Sequence, residues 1–152
     1  KSKIMNDIET TLEQVGAYLA GLAELNGVGV VVDKQQDIAS ELDNLQSKNR
    51  GRVIVIGEVR NRNTNDAVAN PVVKLRFGVT IYTPEIVTDG GMTGGEIRKI
   101  VVNRLSGHSL SGHPVFPELI RYKDGSIMIE ERDDRQSSMI HATAFEVNCQ
   151  FS

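Results

Sequence analysis

Apolar residues recur along the first part of the chain at Ile4, Ile8, Leu12, Val15, Leu19 and Leu22. Steps of three and four trace one stripe on a helix of 3.6 residues per turn, so the pattern predicts an amphipathic helix over 3–25. Asp7, Glu9 and Glu13 suit the positive end of its dipole. Asn26-Gly27 supplies the stop, because glycine takes the left-handed conformation at a helix end without steric cost. Gly16 and Gly21, inside the stripe, mark places where a sheet can approach the helix closely. The β-branched run 28–32 predicts a strand, and Asp37 is placed to cap a short helix carrying Ile38, Leu42 and Leu45. Within 52–60, Val53-Ile54-Val55-Ile56 is apolar on both faces, as a central strand requires. Residues 61–70 are nearly free of apolar side chains and predict an exposed loop.

The clearest alternation lies at 72–83. Leu75, Phe77, Val79 and Ile81 share one face, while Lys74, Arg76, Thr80 and Tyr82 share the other. Pro84 closes that strand. Thr93 and Glu96 have the spacing of a capping box, and Ile97, Ile100, Val101 and Leu105 trace a second helical stripe that ends at Gly107. A loop rich in Gly, His, Ser and Pro runs on to Pro117. Residues 118–123 and 126–132 read as two strands joined at Asp124-Gly125, a strong hairpin signal. The last strand, 138–151, sets Phe145, Val147, Cys149 and Phe151 on one face and Ala142, Ala144, Glu146, Asn148 and Gln150 on the other. The expected fold is α+β: a mainly antiparallel or mixed β-sheet with two principal helices packed on one face. No repeat, linker or low-complexity block interrupts it, so residues 1–152 read as a single domain.

Composition narrows the function classes. Of 152 residues, 39% are hydrophobic and 24% charged, the mixture of a folded rather than a disordered chain. A net charge of −3 argues against a strongly basic nucleic-acid binder. No apolar run is long enough to span a bilayer, and the amino end lacks the apolar core of a secretory signal. One cysteine, Cys149, excludes an intrachain disulfide. With no tryptophan and seven other aromatics, a sugar-binding or base-stacking surface is disfavoured.

The residues capable of chemistry form no recognisable constellation. His108, His113, His141 and Cys149 are the only soft metal ligands, and no paired ligand motif relates them. Glycines 90, 91, 94 and 95 precede a helix, yet the phosphate-loop pattern is missing and Glu96 would oppose a phosphate. The nucleophile pattern Gly-x-Ser-x-Gly does not occur. Glu130, Glu131, Asp133 and Asp134 cluster, but Arg132 and Arg135 interleave them at a turn, as on a solvated strand end. The expectation is a protein without catalytic residues, metal or cofactor.

Charge is unevenly distributed. Residues 51–83 hold five basic side chains against two acidic ones, whereas 84–152 hold seven against ten. That asymmetry suits a head-to-tail interface between copies, which closes into a ring when the rotation allows. The candidate interface residues are Arg60, Arg62, Lys74 and Arg76 on the basic side. Glu130, Glu131, Asp133 and Asp134 are their acidic counterparts.

The layout resembles the tail terminator, or tail-completion, proteins of tailed bacteriophages and of related contractile particles. The resemblance is carried by the helix from Ile4 to Leu25, the run Gly27 to Val32 and the strand Val53-Ile54-Val55-Ile56. It continues in the alternating stretch Val72 to Ile81, the helix Gly95 to Leu105 and a closing strand, His141 to Phe151, after an acidic turn. It implies a homo-oligomer, a hexameric ring that caps the tail tube, stops its polymerisation and presents a head-joining surface. Its partners would be the tail tube protein and neck or head-completion proteins, with no membrane and no specific nucleic acid. The implied location is the virion, after assembly in the host cytoplasm. Two other classes fit the same features: a neck or head-completion protein, and a small nucleic-acid-processing domain using the basic strand face.

Overall fold

The computed structural model describes residues 8–34, 37–59, 72–110, 119–130 and 138–150. They form an α+β fold in the order α1 (Ile8–Ala20), β1 (Gly29–Asp33), α2 (Ala39–Lys48), β2 (Val53–Glu58), β3 (Val72–Pro84), α3 (Gly94–Leu105), β4 (Arg121–Glu130) and β5 (Ser138–Gln150). The strands make one sheet in the order β1-β2-β3-β5-β4. β1 and β2 are parallel, and every other neighbouring pair is antiparallel, so the sheet is mixed as expected.

The alternation of β3 decides which side of the sheet is buried. Leu75, Phe77, Val79 and Ile81 are fully buried and line up in register with Val147, Phe145, Thr143 and His141 of β5. Phe77 and Phe145 stack with ring centroids 5.6 Å apart. Onto this face α1 brings Leu12, Val15 and Leu19, and α3 brings Ile97, Val101 and Leu105. α1 lies over β1 and β2, and α3 over β3 and β5. Gly16 permits the first contact: a Cβ there would stand 2.6 Å from Val32 Cγ2. Gly21 has no such role, since a Cβ there would meet only backbone of its own helix.

α2 packs on the opposite face. A Cβ on Gly29 would meet Leu45 of α2 at 3.2 Å, and Gly29 points away from Val32, three residues on, which faces α1. Val53, in register with Gly29, is fully buried on that side. The two principal helices therefore share a face as expected, while the short helix shields one end of the other.

Three boundaries differ from the sequence reading. The first helix ends at Ala20, because Leu22 is extended, and a 3-10 turn (Ala23–Leu25) then drives Leu25 into the core. Asp37 does not occupy the cap position of α2, which is Ile38; its carboxylate instead accepts from the Ala39 N–H at 3.0 Å. The expected hairpin at Asp124-Gly125 is replaced by one continuous strand. β5 is long enough to pair with all of β4, and a bulge between Tyr122 and Asp124 takes up the extra residue, Lys123. The capping box of α3 forms as expected: Thr93 Oγ1 accepts from the Glu96 N–H, and Glu96 Oε1 from the Thr93 N–H.

Truncation at the centre of this core should be costly. Phe77→Ala is expected to destabilise the fold by about 3–5 kcal/mol, read as a lower midpoint in urea with little change in slope.

Candidate assembly surfaces

The face of the sheet away from α1 and α3 is lined by small and polar side chains. Gly78, Thr80, Ala142, Ala144, Asp124 and Ser126 border a shallow groove of about 370 Å³. Beside it, Glu146 of β5 lies between two cations. Its carboxylate oxygens are 3.7 Å from Arg76 Nε and 3.6 Å from Lys123 Nζ, and Arg121 stands opposite it in register.

That arrangement changes the reading of the basic segment. Of the candidate interface residues, Lys74 is exposed on this face, whereas Arg76 already has Glu146 beside it. Arg60, Arg62, Glu131, Asp133 and Asp134 lie outside the described residues, and Glu130 ends β4. The basic strand face therefore spends part of its charge within the chain.

Arg52 is a second internal cation. Only 5% exposed, it makes a bidentate pair with Asp89 at 2.8 and 2.9 Å and donates from Nε to the Met92 carbonyl at 2.8 Å. The Gly91 N–H also donates to Asp89, and Arg50 lies 3.6 Å from it. The Arg52 guanidinium, then the Gly91 N–H, hold the Asp89 carboxyl far below the usual carboxylate range. The glycine-rich loop before α3 is thus fastened to the start of β2, a contact that no local spacing reveals.

A third polar cluster lies under the first turn of α3. His141 is 2% exposed, and neither of its ring nitrogens has a hydrogen-bond partner; the same holds for the Thr83 hydroxyl, which is fully buried. Gly94 sits directly on both: a Cβ there would be 2.4 Å from His141 Nε2 and 2.8 Å from Thr83 Oγ1. Burial, and then the charge of Arg98, lower the pKa of His141. His108 is also lowered by burial and stacks on Tyr18 at 3.8 Å.

The helical layer stops short of β4. Every residue from Arg121 to Ile127 is exposed. Tyr122 and Ile127, in register with Phe145 and His141, lie on the helix side of the sheet, 40% and 52% exposed. Between α3 and this strand runs a groove of about 410 Å³ lined by Gly95, Arg98, Lys99, Val102, Asn103 and Tyr122.

Among the described residues no three His, Cys, Asp or Glu side chains are placed to hold a metal ion, and no helix is long and apolar enough to cross a membrane. No family model and no curated protein matches the chain. Among solved structures, one chain overlays 91% of this protein and 91% of its own length at a TM-score of 0.48 with 9% identity, a likeness too distant to carry an argument.

Two outcomes follow from the buried polar groups. Because the folded state holds His141 below its ordinary pKa of 6.5, it binds fewer protons than the unfolded chain in acid. Stability should be full above that value and fall as the pH drops below it. Replacing His141 with Leu should flatten the melting temperature measured from about pH 7 to pH 5, with His108 supplying the remaining slope. The Arg52 pair has its own signature. Its contribution is present above the ordinary carboxylate range and lost as Asp89 protonates in stronger acid. Arg52→Met should lower the melting temperature at neutral pH and narrow its difference from wild type in strong acid.

Proposed function

We propose that this protein is a structural assembly subunit of a phage tail or phage-like contractile particle. It forms a hexameric ring that caps the tail tube, ends its growth and offers the surface to which the head is joined. The observation that carries the reading is the order of elements. A leading amphipathic helix, the runs that form β1 and β2, a long alternating strand, a helix and a long closing strand come in the order quoted for the terminator resemblance. The mixed sheet also leaves one broad polar face and an uncovered edge strand on a small subunit, surfaces suited to contact with other chains.

The mechanism is competition for a growing end. Each tube ring exposes the surface that the next ring buries. A terminator ring matches that surface on one side and presents a different one on the other, so addition stops. No bond is made or broken, and specificity lies in shape and in the pattern of charge.

Sedimentation and electron microscopy test the reading together. The expected particle has six times the 16.7 kDa chain mass and, added to purified tail tubes, sits on one end and prevents elongation by fresh tube subunits. Tubes that lengthen at the same rate with and without it would overturn the capping role. Binding to the head side with no effect on elongation would point to the neck protein instead.

A further inference from the structure

The two edges of the sheet carry opposite charge in the helical layer. Among the described residues of α1 and of 29–48, Glu9, Glu13, Asp33, Asp37, Glu41 and Asp43 stand against Lys34 and Lys48. Lys34 forms an ion pair with Glu13, which leaves the carboxylates in excess. On the other side, α3 and β4 together hold five cations against three carboxylates; Arg104 pairs with Glu24 and Lys123 with Glu146, leaving Arg98 and Lys99 as the cations of the helical layer. Arg98 and Lys99 line the groove beside Tyr122, in the helical layer. In the opposite layer Arg121 and Lys123 stand with Glu146 and Asp124, so that layer carries no excess of either charge at this edge.

Topology sets how these edges can meet. β1 and β2 run together, β3 reverses, β5 reverses again and β4 once more, so β4 is antiparallel to β1. Neither strand has a further neighbour among the described residues. Among the described residues, three of the four large exposed hydrophobic side chains, Leu119, Tyr122 and Ile127, lie on or just before β4. An uncovered apolar strip on an edge strand is a site for another chain to pair and cover.

From these observations we infer that the α3–β4 edge receives the α1–β1–α2 edge of a second copy of the same chain, head to tail. The sheet then continues across the contact through an antiparallel β4–β1 pairing. In the helical layer, the neighbour's α1 lies beside α3, covers Tyr122 and Ile127, and sets Glu9 and Glu13 against Arg98 and Lys99. The contact is heterologous, so repetition closes a ring or runs on as a filament. It deepens the ring reading given above and rests on it for closure at six. It also moves the interface away from Arg76, whose charge is partly used within the chain.

Two charge-reversed proteins test the contact, with sedimentation velocity at low salt as the readout. One carries Arg98→Glu and Lys99→Glu; the other carries Glu9→Lys and Glu13→Lys. Glu9, Glu13 and Lys99 are exposed and Arg98 is half-buried, and far-UV circular dichroism checks that each variant is folded. Each alone should lose the ring, with association weakened about tenfold or more. Mixed in equal amounts, they should recover it, because alternating copies restore complementary charge at every contact in an even-numbered ring. Assembly of either variant at the wild-type mass, failure of the mixture to recover, or a wild-type protein that stays monomeric would overturn the inference. Failure of the capping reading looks different: rings would respond to the charge reversals as described, yet leave tube growth unchanged.

Discussion

The pairing of β3 with β5 is the constraint on which the remaining structure depends. Thirteen consecutive pairs, from Val72–Gln150 to Pro84–Ser138, join two strands far apart in sequence. Strict alternation along both gives the sheet one apolar side and one polar side at once. α1 and α3 can pack only on the apolar side, and the centre of that contact is the Phe77–Phe145 stack. β2 and β4 then add to either side of this central pair, so both edges of the sheet are fixed by it.

Much of this was legible in the residues, and where it was not the reason is physical. Periodicity exposed both long helices and β3, because a buried stripe or an alternating face repeats many times within one element. The capping box was legible since its two hydrogen bonds are made within four residues. By contrast, Asp124-Gly125 is a turn signal only when both flanking segments lack a better partner. Here β5 provides a template along the whole of β4, and tertiary pairing overrides the local preference. Leu22 carries the helical spacing but leaves the helix, since its extended backbone lets Leu25 reach the core.

Charge was the least legible property. Arg52, Arg76 and Lys123 count equally in a composition, yet the first is buried on Asp89 and the other two flank Glu146. Their partners lie 37, 70 and 23 positions away in sequence, distances over which one-dimensional spacing says nothing. Once these internal pairs are set aside, the outward charge includes Arg98 and Lys99 of α3 at one end of the sheet and Glu9 of α1 and Glu41 of α2 at the other. His141 and Thr83 were missed for a related reason: each occupies a position that the alternation assigns to the core, and only packing shows that their polar atoms are left without partners.

The bulge at Lys123 has a consequence for any strand that approaches β4 from outside. In an unbroken ladder Lys123 would fall opposite Phe145, and Tyr122 would turn to the polar side; the extra residue reverses that phase and returns the tyrosine ring to Phe145. The outer rim of β4 is thereby divided into a short piece before the irregularity and a longer regular piece, 124–130, after it. A regular newcomer can match only the longer piece, and β1, at five residues, is short enough to do so. The irregularity acts as a stop that limits how far an incoming strand can slide.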